Sequence, residues 1–204
     1  MISSYDIQLL YFFQHERFAA LDGFFIPFSF ATTFASISLI LGLFFLSLYR
    51  KSKEIRTKSY LLLSTFLVAS LTIFLLKNLI LRQRPFVSYP FIQKLSEGGS
   101  YSFQSGHAIE AFAIAATIAS IGKSRKLSFI VYCWAILVAY SRMILGVHYP
   151  SDILGGIVAG TLIGMVVPGF TKKYLKRLRI NNATKQAAKL KRFSLLILLL
   201  TSLS

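Results

Sequence analysis

Five stretches of this chain are long and apolar, and that restricts what it can fold into. They run from Phe24 to Tyr49, Tyr60 to Leu81, His107 to Ile121, Leu127 to Leu145 and Pro150 to Phe170. About 20 consecutive apolar residues suffice to cross the hydrocarbon core of a bilayer as a helix. The composition agrees: 55% of the 204 residues are hydrophobic, 19 of them Phe, and few soluble domains carry so much apolar surface. The expected fold is all-α: one polytopic membrane helix bundle over 1–204, with five to six transmembrane helices plus interfacial helices. The third stretch is short and rich in alanine. In the fifth, Gly156, Gly160 and Gly164 recur every four residues, as small residues do where helices pack closely in lipid.

The ends read differently. Tyr5 to Leu21 is apolar but broken by His15, Glu16 and Arg17, so residues 1–22 are expected to lie as a helix in the interface. His15 has no evident partner in the sequence and is read as interfacial. Met1 to Gln14 lacks a basic start, and no cleavable signal peptide is expected. The core is expected over 24–170 and a basic tail over 171–204. Within that tail, Lys172 to Arg192 reads as an amphipathic surface helix, and Phe193 to Leu203 is too short to span.

Charge orients the bundle. The 50–59 loop, the 122–126 loop and the tail hold 17 Lys/Arg and one acid, Glu54. The opposite side holds six Lys/Arg and six acids, so the whole net charge of +16 sits on one side. The positive-inside rule makes that side cytoplasmic and predicts an integral inner-membrane protein. The basic tail faces anionic lipid in this reading. No soluble domain is present to offer the charge to nucleic acid. The single Cys133 excludes an internal disulfide framework and a cysteine zinc site. The sequence carries no signal for oligomeric state.

Three motifs gather on the other, extracytoplasmic side. Lys77 is followed after six residues by Arg84-Pro85. Seven residues is close to two helical turns, so both cations share a face if the helix continues that far. Pro85 disfavours helix at Arg84 and is expected to end it there. Ser105-Gly106-His107 opens the third helix: Ser105 suits an N-cap, Gly106 allows close approach of the backbone, and a helix N-terminus offers free N–H groups to an anion. Ser141-Arg142 precedes His148 and Asp152, and the Asp152 carboxylate is placed to reach back to one nitrogen of His148. Taken singly, these are snorkelling cations, an ordinary cap and a capping aspartate. Their convergence on one side points to a site that binds a phosphate and cleaves its ester or anhydride. Five aromatics between Pro85 and Gln104 suit either an interfacial belt or a guide for a lipid tail.

The spacing K-x6-RP, SGH and SR-x5-H-x3-D resembles the type 2 phosphatidic acid phosphatase family, over roughly Tyr60 to Phe170. The resemblance implies His148 as a nucleophile forming a phosphohistidine, with Asp152 supporting it and His107 as general acid. It implies that Lys77, Arg84, Arg142, Ser105 and the Gly106 backbone hold the phosphate. It implies no metal or other cofactor, and the sequence has no carboxylate cluster suited to magnesium. One position departs: Gln104 stands where the family usually has Pro. The expected function is hydrolysis of a lipid phosphate or diphosphate at a site facing the periplasm or exterior. Undecaprenyl diphosphate suits an outward-facing compact enzyme engaged in carrier-lipid recycling. Phosphatidate, phosphatidylglycerophosphate and a lipid A phosphate fit the same motifs. A lipid phosphoryl transferase and a non-catalytic lipid-binding relative are the alternatives.

Overall fold

A computed structural model describes residues 4–99, 101–122 and 124–201, without the side chains of 185 and 187–201. It contains helices and, among the described residues, no strand. In chain order the helices are α1 (Ser4–His15), α2 (Asp22–Tyr49), α3 (Lys53–Ile80), α4 (Pro85–Ser88), α5 (Gly106–Ile121), α6 (Arg125–Ile144) and α7 (Pro150–Thr201). A single 3-10 turn, Ala19–Leu21, leads into α2. Four segments are long and apolar enough to cross a membrane: 19–49, 53–88, 125–144 and 150–184; α5 is a shorter apolar helix.

The starts of the inner helices follow local rules. Ser52, Ser105 and Ser124 each adopt extended backbone and accept a bond from the N–H three residues on, capping α3, α5 and α6. Leu81 closes α3 in the left-handed region at φ 51°, with its N–H bonded to Lys77 O.

Helix α5 is the axis of the bundle. Every residue from Ala108 to Thr117 is buried. Sixteen residues make only about 24 Å of helix, short of a ~30 Å hydrocarbon core. Burial explains why that suffices: α2, α3 and α6 pack around α5, and α7 lies against it, so lipid does not set its length. Its alanines, Ala108, Ala111 and Ala115, meet Ala135, Val138 and Ala139 of α6 and Ile153 of α7. The glycines of α7 form the closest seam. A Cβ on Gly160 would lie 2.4 Å from Ile109 O, and one on Gly164 2.4 Å from Ala113 O. Neither position has room for a methyl group.

A polar stripe runs down α2. Ser29, Thr32 and Ser36 are buried, Thr33 donates to Glu110 Oε2 at 2.8 Å, and Ser36 back-bonds to Thr32 O. Glu110 is therefore a carboxylate inside the bundle held by hydroxyl groups of a neighbouring helix.

Both termini differ from expectation. Helix α1 stops at His15 instead of running to Leu21, and it is docked, not merely interfacial: Asp6, Leu10 and Gln14 are buried. Gln14 donates to Gln93 O at 2.7 Å and accepts from Gln93 N at 2.9 Å, which ties α1 to the 89–99 loop. His15 has partners after all, a 3.0 Å contact to Glu16 Oε1 and a stacked Tyr11 ring. At the other end, the surface helix expected over Lys172–Arg192 is not separate: α7 runs on from the fifth apolar stretch through it, as far as Thr201. Lys, Arg, Ala, Gln and Leu are all good helix formers, so nothing local stops it. Residues 4–168 form one compact unit, and from Gly169 onward the chain forms a second. In that second unit Lys172, Lys173, Lys176 and Arg177 are exposed. Residues 202–204 at the end of the predicted Phe193–Leu203 stretch lie outside the described residues.

Candidate active site

The three motifs meet at one end of the bundle, where α3 and α6 finish and α5 and α7 begin. Lys77 occupies the last turn of α3 and Arg142 the last turn of α6. His107 stands just inside α5, and the turn 145–149 carries His148 to the start of α7. The positive charges of Lys77, Arg84 and Arg142 all act on His107, as does His148.

Lys77 and Arg84 do not share a helix face, contrary to the expectation from their spacing. Helix α3 ends four residues before Arg84, and Arg84 is the extended residue before α4, with Pro85 at the first helical position. Proline at 85 excludes helix at 84 and starts a new one instead. The guanidinium still arrives at the site, because the loop folds back. Arg84 Nη1 donates to Val147 O at 2.8 Å and Nε to Gly99 O at 3.0 Å. The first of these bonds fixes the residue next to His148. Gly98 makes room: a Cβ there would fall 3.0 Å from Arg84 Cδ.

Arg142 is buried, and its Nη1 donates to Ser29 Oγ of α2 and, at 3.4 Å, to Ser96 Oγ. Its Nε is buried without a hydrogen-bond partner among the described residues. A buried guanidinium with an unmet donor is suited to an incoming oxyanion.

Ser105 caps α5 as expected, with its Oγ accepting from Ala108 N at 3.4 Å. Its own N–H donates to Asp152 O at 3.2 Å, which locks the start of α5 to the start of α7. A Cβ on Gly106 would stand 3.3 Å from Ile73 Cγ2, so this glycine also lets α5 approach α3. Gln104, just before the cap, is fully buried, and neither amide atom has a partner among the described residues.

His148 is buried with Nδ1 3.6 Å from Asp152 Oδ2. That is too long for a hydrogen bond, and Nδ1 has no other partner among the described residues. Burial pulls the His148 imidazole down to about 3, Asp152 opposes the shift, and the Arg142 and Arg84 cations add to it. The ring is therefore neutral at physiological pH, which a nucleophile requires.

Asp152 is more constrained than its spacing suggests. Oδ2 accepts from Tyr149 N at 2.9 Å, the reciprocal half of a capping box at the start of α7. It also accepts from Ser102 Oγ at 2.5 Å, while Oδ1 accepts from Arg82 Nη1 at 2.5 Å. The capping reading and the histidine-supporting reading are thus compatible. Arg82, Ser102, Ser29 and Ser96 were not singled out by sequence reasoning. For Ser29 a signal existed, in the helical spacing of hydroxyls along α2. For Arg82 the only cue is its position two residues before Arg84. Among the described residues no group of three or more His, Cys, Asp and Glu side chains is placed to share a metal ion.

The profile of the PAP2 superfamily matches residues 58–176. A lipid A 4'-phosphatase of Porphyromonas gingivalis is 31% identical over 153 residues, covering 72% of this chain and 64% of that protein. Phosphatidylglycerophosphatase B of Bacillus subtilis is 35% identical over 147 residues, covering 68% and 66%. The chain thus spans just under two thirds of the length of these two curated relatives. The crystal structure of a transmembrane PAP2-type phosphatidylglycerolphosphate phosphatase from Bacillus subtilis superposes with a TM-score of 0.69 at 28% identity, over 83% of this chain and 86% of that one.

Proposed function

Because the chain belongs to the PAP2 superfamily, we propose that it hydrolyses a terminal phosphate or diphosphate on a membrane lipid through a phosphohistidine on His148. The observation that carries this reading is the meeting of three cations, His107 and the α5 N-terminus around the buried His148–Asp152 pair.

The geometry supports the following steps. Nδ1 of His148 faces Asp152, so Nε2 is the nitrogen that attacks phosphorus. The N–P bond forms as the bond to the leaving oxygen breaks, and protonated His107 gives that oxygen its proton. The dianionic phosphate favours the protonated form of His107 on arrival. Asp152 stabilises the imidazolium as it forms. Water then attacks phosphorus, neutral His107 takes its proton, the P–N bond breaks, and inorganic phosphate leaves with His148 neutral again. Lys77, Arg84, Arg142, Ser105 and the Gly106 N–H hold the equatorial oxygens, where preorganised donors lower the barrier most.

The relatives named above act, by their names, on lipid A and on phosphatidylglycerophosphate. The proposed substrate class is therefore a lipid ending in a phosphoryl group, isoprenyl diphosphates included, with the bilayer as the medium and no nucleic acid involved. The charge asymmetry supports an inner-membrane protein whose site faces outward. The test is release of inorganic phosphate by purified protein in detergent across a panel of lipid phosphates, with excess chelator. Release sustained in chelator and absent in His148→Ala is the expected result. Transfer of phosphate to a second lipid without release would select the transferase, and no reaction at all the non-catalytic relative.

Orientation has its own test in a Cys133→Ala background. Ser96 is buried against Arg142 and unsuited to labelling, whereas Lys94, Lys53 and Lys126 are exposed. Cysteine at 94 should react with an impermeant thiol reagent in intact cells, and cysteine at 53 or 126 should not. The reverse pattern would put the site in the cytoplasm.

A further inference from the structure

One buried charge has no part in the steps above. Asp6 of α1 is only 6% exposed, and a buried carboxylate persists only when paired and hydrogen-bonded. Its partners belong to the reaction centre. Oδ1 accepts from Ser151 N at 2.9 Å, Oδ2 accepts from Ser151 Oγ at 2.6 Å, and Oδ2 also accepts from Arg82 Nη2 at 2.8 Å. The other arm of the same guanidinium donates to Asp152 Oδ1 and to Ser151 Oγ. The Arg82 plane rests 4.0 Å over the Tyr149 ring, next to His148.

We propose that Asp6 is a positioning residue for the nucleophile: through Arg82 and Ser151 it fixes the Asp152 carboxylate, so the N-terminal helix is part of the catalytic machinery. This rests on the reading of His148 and Asp152 given above.

Two features separate this from ordinary packing. Helix α1 has its own anchors, Leu10 in an apolar cluster with Ile92 and Tyr149, and Gln14 on the 93 backbone. Asp6 is therefore not the sole anchor of α1. Secondly, Arg82 is divided between two carboxylates. With Asp6 present, one arm of the fork is held back from Asp152, and Asp152 keeps negative charge for His148. Without it, both arms are free to close on Asp152, and the carboxylate turns toward Arg82 and away from the imidazole. Asp6 also satisfies the Ser151 N–H, one of the donors at the start of α7 that no helical carbonyl reaches. Its loss loosens the turn from which Asp152 projects.

The experiment is a cycle of Asp6→Asn, Asp152→Asn and the double variant in the full chain in detergent, with Asp6→Glu and Ser151→Ala alongside. The readouts are kcat and KM on a soluble short-chain lipid phosphate, the thermal midpoint, and binding of vanadate as a phosphate mimic. Misplacement by about 1 Å costs on the order of 100-fold in rate, so Asp6→Asn should lower kcat about 10- to 100-fold. KM and vanadate binding should stay within about twofold. Asp6→Glu should recover part of the rate, Ser151→Ala should lose part of it, and the double variant should be no slower than Asp152→Asn alone. Three results overturn the inference: unchanged kcat in Asp6→Asn, an additive loss in the double variant, or a rate loss that tracks KM and vanadate binding. If Asp6→Asn does not fold, an unchanged kcat in Ser151→Ala overturns it. Full activity in Asp152→Asn breaks the reading of the site itself; an impaired Asp152→Asn beside an intact Asp6→Asn breaks only this inference.

Discussion

The glycine seam between α5 and α7 and the charged cluster at its end hold the same two helices together by opposite means. The seam has no charged side chain to satisfy and no space to spare, and its buried hydroxyl, Thr117, donates to Gly164 O across it at 3.4 Å. Its backbones meet because Gly156, Gly160 and Gly164 carry nothing to keep them apart. The cluster is built from groups that each need a partner: Asp6, Arg82, Ser102 and Asp152 complete one another's hydrogen bonds. The two devices are joined at Ser105, whose carbonyl lies 3.0 Å from the Cβ position of Gly156 and whose N–H binds Asp152 O. The seam sets how close α5 and α7 come, and the cluster uses that distance to set His107 and Ser105 against His148 and Asp152. Shape therefore gives coarse register and hydrogen bonding gives fine aim, so damage to each should look different.

The largest effect is expected at His148, the proposed nucleophile. His148→Ala should reduce turnover roughly 10^4-fold or more while leaving the thermal midpoint near that of the parent. Phosphate release by a continuous assay and detergent melting curves check this, and near-normal turnover would end the phosphohistidine mechanism. Asp152→Asn should fall roughly 10^2- to 10^4-fold, since it keeps the shape but loses the charge opposite Nδ1.

Next comes the seam. Gly160→Ala places a methyl 2.4 Å from Ile109 O, and forced overpacking costs about 1–3 kcal/mol. The expected outcome is a lower melting temperature with activity lost in parallel, KM and kcat together, because both ends of the site move. Gly169, where an added Cβ meets nothing within 4 Å, is the control and should accept alanine unchanged. Equal tolerance at 160 and 169 would show that the seam does not set the register.

How much of this division was readable beforehand follows from range. The Ser105 cap, the short alanine-rich α5 and the four-residue glycine repeat are local patterns, and each was legible as written. The pairing of Asp6 with Arg82 was not, because no local cue links the two residues and each finds the other only once α1 docks. The Lys77–Arg84 spacing misled for a specific reason: seven residues fit two turns, but Leu81 turns left-handed and Pro85 begins a second helix. The cations converge through a loop, by way of Arg84 and the Val147 carbonyl. The tail was legible as helix over Lys172–Arg192, but not as a direct continuation of the fifth apolar stretch, since the change from apolar to basic composition marks no end in a helix whose residues largely favour that conformation.

Acid should separate the regions further. Burial holds the His148 ring at about 3, well below the ordinary histidine value of 6.5. Its neutral form predominates above that value, so His148 itself adds no loss of rate between pH 7 and pH 4. Any loss there belongs to the substrate, whose second ionisation lies near 6, or to His107. The cost falls on stability instead. A histidine depressed on folding contributes fully above its unfolded value of about 6.5, and the contribution is lost as pH falls from there toward about 3. By pH 5 this amounts to roughly 2 kcal/mol. Melting curves should therefore fall between pH 7 and pH 5 in the parent and fall less steeply in His148→Asn. Equal slopes would mean that the ring is not kept neutral by burial.

The smallest effect is expected at Gln104, which belongs to neither region. Its side chain is buried beside the α5 cap, with its Cβ 3.9 Å from the Cβ position of Gly155, so it packs where seam and cluster meet. Both amide atoms lack a partner among the described residues. An unmet buried amide costs about 1–3 kcal/mol, and methionine fills nearly the same volume without that cost. If the amide only packs, Gln104→Met should raise the melting temperature slightly and leave kcat and KM within about twofold. If the amide waits for the substrate, the same variant should raise KM several-fold at constant kcat, and a less bulky Gln104→Ala should do likewise. The three cations proposed to hold the phosphate make the first outcome the expected one. A parallel rise of KM in both variants would move Gln104 into the substrate site and make the boundary between seam and cluster a place of recognition.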